Sequence, residues 1–296
     1  MNCCSRILSV VVALGALLAP GLIRPVQAVL VAYEGFEEYA AGSQLESNAG
    51  VGQSGGSFWT SDWNVLDTQR ANVVTAAGGL SYAAGSVLID GGNRKLDTHI
   101  PIGSTANAVY LDRAFPAQAG PVFMSFLFRT TSADGTGDGD FIQFGLDNTA
   151  FANPRLSVAH RDNSSLGDFD FHTRAGTTVT DFAGLGTNAN ETYFLVARMS
   201  DTGVAGYNLV ELWINPTSLA LGTPDAVSNV EVAGLTSLSR FLGRIAFTET
   251  GDTYFIDELR IGTLLSDVVI TVPEPASAAL ALMGLAGLAA RRRRVA

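Results

Sequence analysis

The sequence predicts an all-β fold, a two-sheet antiparallel sandwich of the jelly-roll type, on three observations. Short runs of β-branched, aromatic and aliphatic residues recur along the chain, and clusters of Gly, Asn, Asp, Ser and Thr separate them. No amphipathic helix lies between the runs to make the crossovers of a parallel sheet. The third is composition: 47% of the 296 residues are hydrophobic, only 16% are charged and 32 are glycine, which supplies a core and argues against disorder.

The expected strands, in order, are 31–39, 86–90, 107–115, 121–131, 140–147, 155–161, 168–175, 191–200, 207–215, 228–233, 240–248 and 253–262. Turn signals such as Asp90-Gly91-Gly92-Asn93 and Asp134 to Gly139 close them. Alternation sets facing. In the run from Val210 to Ile214, Val210, Leu212 and Ile214 share one side, while Glu211 and Trp213 share the other. Phe126, Phe128, Leu195, Leu212, Ile214, Phe255 and Leu259 are the expected core. No repeat of fixed period appears.

Two terminal segments stand apart from the body at 29–270. Residues 1–28 carry Arg6, an apolar run from Ile7 to Leu18, then Pro20 and Pro25 before Val26-Gln27-Ala28. This is the layout of a secretory signal peptide cut after Ala28, the run being shorter than the roughly 20 residues a membrane span needs. Both cysteines, Cys3 and Cys4, precede that run, so cleavage leaves a mature chain without thiol or cysteine-ligated metal chemistry. Residues 271–296 read Pro273-Glu274-Pro275, an apolar run Ala276 to Ala290, then Arg291, Arg292, Arg293 and Arg294. Fifteen helical residues reach only about 22 Å against a hydrocarbon core of roughly 30 Å. The arginines favour the cytoplasmic side, which leaves the body outside.

The termini hold six of the 18 basic residues, so residues 29–272 carry 27 acids against 12 bases, a net −15. Such a surface repels nucleic acid and excludes it as a partner. Catalytic patterns are few. His99, His160 and His172 lie far apart, and there is no nucleophile elbow, phosphate loop or Glu-x-Asp-x-x-Glu arrangement. Asp168 and Asp170 flank Phe169 on one strand face, a spacing open to a carboxylate pair or to a solvated face. In strand 253–262, alternation places Asp257 with Phe255, Leu259 and Ile261, and a core-facing carboxylate must be paired, hydrogen-bonded or metal-bound. Glu34 or Glu37 on the first strand are its expected neighbours. Oxygen ligands would suit Ca²⁺, with backbone N–H groups or an arginine as the other outcome. The acids and glycines of Asp134 to Asp140 fit a calcium loop or a solvated hairpin, and Trp59 and Trp63 fit sugar stacking or core packing.

The order Pro-Glu-Pro, short apolar span, arginine cluster resembles the PEP-CTERM sorting signal of Gram-negative bacteria. That resemblance implies membrane insertion of the tail, recognition by an exosortase at Pro273-Glu274-Pro275, and delivery to the outer surface or an exopolysaccharide matrix. Two stretches of the body, Tyr33 to Gly42 and Phe255 to Thr263, with Phe58, Trp59 and Trp63, resemble concanavalin A-like, laminin-G-type sandwiches. Together these imply a non-catalytic module that binds glycan or matrix polymer. A polysaccharide-active enzyme and a purely structural surface or biofilm protein are the competing readings.

Overall fold

The computed structural model describes residues 30–46, 50–66, 73–99, 109–131, 141–150, 153–163, 168–176, 178–203, 206–246 and 253–271. The leader at 1–28, the Asp134 to Asp140 loop and the tail beyond 271 lie outside them. Two antiparallel sheets face each other. The eight-stranded sheet runs β15 (Ala226–Asn229), β14 (Leu209–Ile214), β13 (Tyr193–Ser200), β8 (Val122–Thr130), β17 (Thr253–Gly262), β6 (Arg94–His99) and β3 (Val73–Ala77), with β1 (Leu30–Glu34) also on β17. The seven-stranded sheet runs β12 (Thr178–Phe182), β11 (Asp168–Ala175), β10 (Leu156–Asn163), β9 (Phe141–Asp147), β16 (Leu238–Ala246), β7 (Val109–Gln118) and β2 (Asn64–Leu66). A hairpin of β4 (Ser81–Ala84) and β5 (Val87–Asp90) and one helical turn, α1 (Leu265–Val268), complete it. Among the described residues no helix is long and apolar enough to cross a membrane.

Alternation along the strands fills the space between the sheets. Val122, Met124, Phe126 and Phe128 from β8 and Leu195, Ala197 and Met199 from β13 meet Ile142, Phe144, Val158, Phe171 and Phe241 from the opposite sheet. The expected core residues Phe126, Phe128, Leu195, Leu212 and Leu259 are buried there, and half-buried Ile214 packs against them. Phe255 is a correction. Between Asp257 and Arg260 the pairing of β17 with β8 shifts at a bulge, where Glu258 takes a φ of 51°. One extra residue inverts the alternation. Tyr254 and Ile256 before the bulge, and Leu259 and Ile261 after it, all face the core, so Phe255 and Asp257 point to the outer side.

On that outer side the eight-stranded sheet carries a second apolar cluster. Leu127, Phe194 and Val196 are covered by Leu80, Val87 and Ile89 of the β4–β5 hairpin and by Val268 and Val269 at α1. Trp213 also faces outward, as alternation requires, yet only 8% of it is exposed because its indole N–H reaches Gly222 O at 2.9 Å beneath the loop after β14. The first expected strand is shorter than 31–39. Phe36 takes a φ of 59° just after Glu34, and the chain turns there.

Candidate functional site

Glu34 closes β1 and is only 1% exposed. Its carboxylate is taken up completely. Arg113 Nη1 lies 2.5 Å from Oε2, Tyr39 OH donates at 2.8 Å and Trp63 Nε1 at 3.1 Å, while the Phe36 N–H donates to Oε1 at 3.0 Å. Burial pushes the Glu34 carboxyl up, and Arg113, Tyr39 and Phe36 work against it. Arg113 comes from β7, where Val109, Leu111, Arg113 and Phe115 point inward in alternation. Its remaining N–H groups reach Gly55 O at 2.5 Å and Ser61 O at 3.0 Å, and its plane lies over Trp59 and Trp63 at 4.8 and 5.1 Å. Sequence reasoning missed this arginine, although one charge inside an apolar period-two run is a readable signal.

Asp257, also fully buried, lies beneath the β4–β5 hairpin. The Leu80 N–H donates to Oδ2 at 2.8 Å and the Glu258 N–H to Oδ1 at 2.8 Å. Burial above all, then the fields of Glu258 and Glu37, push its carboxyl up to about 8. The first-strand region therefore does send an acid towards Asp257, but it is Glu37, which accepts the Asn93 and Arg94 N–H groups at 2.6 and 2.7 Å. Gly91 is required in that turn, since a Cβ there would sit 2.1 Å from Asp257 Oδ2. The Glu34 and Asp257 carboxylates do not fit a calcium ion in this arrangement. Glu34 is saturated by donors that include a guanidinium, and Asp257 spends both oxygens on backbone N–H groups. Among the described residues no group of three or more His, Cys, Asp or Glu side chains is placed to hold a metal ion.

The histidines and the Asp168–Asp170 pair do not meet in one site. His160 is in the core with Nε2 2.9 Å from Thr187 Oγ1, and burial drives it down to about 3. His99 pairs with Asp97 at 2.9 Å, a bond that raises it. Asp170 accepts the Phe171 and Gly184 N–H groups at 2.8 and 2.7 Å, and the Asp168 side chain lies outside the described residues.

An open cavity of about 290 Å³ is lined by residues 54–56 and 58–62 with Arg113 as its floor. Trp63, 2% exposed, belongs to the core against Phe36 and Phe241. Trp59 is half-buried and fixed by its indole N–H to Tyr33 O at 2.8 Å, so one ring contributes to the cavity wall. Beside it Phe58 is 62% exposed and holds a φ of 66°, a conformation an aromatic residue rarely adopts. Gly56 permits the turn, because a Cβ there would lie 2.5 Å from Tyr33 O. Ring faces beside hydroxyls and Asp62 can receive a flat polar ligand.

Residues 271–294 match the PEP-CTERM protein-sorting motif, the segment that carries Pro273, Glu274, Pro275 and Arg291 to Arg294. No curated protein sequence matches the chain. Among solved structures, the chain is similar to an endo-1,3-β-glucanase from Streptomyces sioyaensis at 12% identity and a TM-score of 0.49, covering 81% of this chain and 98% of that one. It is also similar to an endo-β-1,4-glucuronan lyase from Trichoderma reesei at 13% identity and a TM-score of 0.41, over 64% and 90% of the two chains. A third similarity is to the exoplasmic/lumenal domain of VIP36 in a Ca²⁺/Man3GlcNAc-bound form, at 11% identity and a TM-score of 0.38, over 68% and 89%. The matched tail implies a protein exported through the membrane, anchored by its C-terminus at a Gram-negative cell surface and processed there by an exosortase.

Proposed function

We propose that the body is a non-catalytic glycan-binding module presented outside the cell. The cavity beside Phe58 and Trp59 carries this reading. An aromatic side chain held in solvent by a costly backbone conformation, next to a second ring and several hydroxyls, suits the apolar face and hydroxyl rim of a sugar. The Glu34 carboxylate behind the cavity is an ion-pair partner of Arg113, which favours binding over acid–base chemistry. Processing completes the reading: the mature chain begins at Val29 and loses the tail near Pro273-Glu274-Pro275, leaving the body on the surface or in an exopolysaccharide matrix.

The test is incubation of the purified body with the host's own exopolysaccharide, following retention and new reducing ends together. Retention without cleavage is expected, and Phe58→Ala should weaken it about 2- to 12-fold, the worth of one aromatic contact. New reducing ends would make the protein an enzyme. No retention would favour the purely structural role, and retention untouched by Phe58→Ala would move the site elsewhere.

A further inference from the structure

We propose that the outer face of the seven-stranded sheet holds an anion-binding depression, walled by Arg161, Arg174 and Arg244, that takes a carboxylate of an acidic polysaccharide. The three arginines come from β10, β11 and β16, and register alone brings them together. Arg244 stands opposite Gln143, Gln143 opposite Ala159, and Ala159 opposite His172; Arg161 and Arg174 lie two residues along β10 and β11 from that row. Directly paired residues share a face, so all of these side chains point outward. They surround a depression of about 70 Å³ together with Phe141. That space has room for several water-sized atoms, enough for one carboxylate.

Several half-buried arginines of the body are neutralised by carboxylates. Arg240 on the same face lies 2.5 Å from Asp112, Arg155 is paired with Asp147, and Arg198 lies 2.5 Å from Glu211. Among the described residues neither Arg161 nor Arg244 has a carboxylate partner. Arg244 instead lies over the rings of Phe141 and Tyr110 at 4.7 and 5.7 Å, and its buried Nε has no acceptor. His172 is 97% buried, and its Nδ1 likewise has no partner. Asp170, opposite Arg161 in the register, spends its carboxylate on the Phe171 and Gly184 N–H groups. Among the described residues, three guanidiniums set against the Asp170 carboxylate leave the depression positive within a body of net −15. The strain shows on its members. Burial, then Arg244 and Arg161, push Arg174 below its ordinary value, and burial with Arg161 and Arg174 drives His172 down to about 3. An anion seated among the guanidiniums would relieve that repulsion and receive charge-assisted hydrogen bonds.

The neighbours favour a sugar acid over a free ion. Phe141, Tyr110 and Phe182 flank the guanidiniums, with the Phe182 ring 5.1 Å from His172, and aromatic faces serve a pyranose ring but not sulfate. The site lies on the sheet face and shares no lining residue with the Phe58 cavity, so each can fail without the other.

Native gel electrophoresis of the purified chain through sodium polygalacturonate or dextran tests this. Ionic strength of 0.15 M shortens the long-range repulsion between the acidic body and the polyanion to about 8 Å. Polygalacturonate should retard the protein and dextran should not. Arg161→Ala, an exposed site safe for folding, should weaken the retardation several-fold, and the Arg161→Ala/Arg244→Ala pair at least 10-fold. No retardation by polygalacturonate, or full retardation of the double variant, would overturn the proposal. Displacement by inorganic sulfate at an equal concentration of charge would overturn the assignment to a polysaccharide.

Discussion

The two outer faces of the sandwich are treated in opposite ways. The eight-stranded sheet presents Leu127, Phe194 and Val196 outward and hides them under the β4–β5 hairpin and α1, with Asp257 trapped at the seam. The seven-stranded sheet presents Arg161, Arg174, Arg240 and Arg244 outward, and no comparable apolar layer covers them among the described residues. Apolar surface that would otherwise meet water is stabilising when covered, at about 25 cal/mol per Å². Polar surface gains nothing from a cover. The first face is therefore part of the folding unit, whereas the second is free to be used.

If that contrast holds, the largest loss of stability should come from the covered face. Phe194→Ala removes a ring with no exposed surface, packed 5.4 Å from the Tyr82 ring, and should cost about 3–5 kcal/mol in denaturant titration. A loss under about 1 kcal/mol would mean that the hairpin contributes no more than a loop laid on the surface. Breaking the buried pair that joins the two sheets with Glu34→Ala should be similarly severe, since Arg113 would be left charged at 1% exposure.

The seam should show itself through pH. Asp257 titrates near 8 in the folded chain against an ordinary value of 3.8, because burial disfavours the charged form. Between those values the native state holds a proton that the unfolded state has lost, so stability falls as pH rises from about 4 to about 8. Asp257→Asn keeps a neutral side chain that accepts a backbone N–H, and should flatten this dependence by an amount on the order of a few kcal/mol. Thermal melts of both proteins at pH 5 and 8 check it. Parallel declines would place the titration elsewhere.

How far the sequence carried differs between the faces for the same physical reason. Strands with large apolar residues on the inner side were readable, and the bounds at 168–175 and 253–262 agree with the structure. Strands β2, β3, β4, β6 and β12 were not, because runs such as Arg94–His99 and Thr178–Phe182 hold few large apolar residues and depend on neighbours to form. The bulge at Glu258 reversed the facing of Phe255, since period-two reading fails wherever a residue is inserted. Asp257 was legible as a buried carboxylate needing partners, and backbone N–H groups supply them. The arginine depression was not legible. Arg161, Arg174 and Arg244 each look like a solvated surface charge, and only the register of β9, β10, β11 and β16 joins them, although outward arginines recurring on successive strands were a signal available to alternation.

The smallest expected effect sharpens the contrast most. Arg161→Ala on the open face removes an exposed side chain without a carboxylate partner, so its effect on stability should stay within about 0.5 kcal/mol. The sign is informative. A surface cation held only by solvent would leave the midpoint unmoved, but the one guanidinium that depresses both Arg174 and His172 should raise it slightly when removed, as repulsion falls. A site kept at some cost to the fold is what a binding function requires. Adding polygalacturonate should then reverse the order of the two proteins. The parent chain gains stability from a ligand that binds only its folded state, by about 2.7 kcal/mol at a hundredfold excess over Kd, while the variant gains little. Melting temperatures of both proteins with and without the polymer measure that crossing, and two curves that move together would show that the open face is merely solvated.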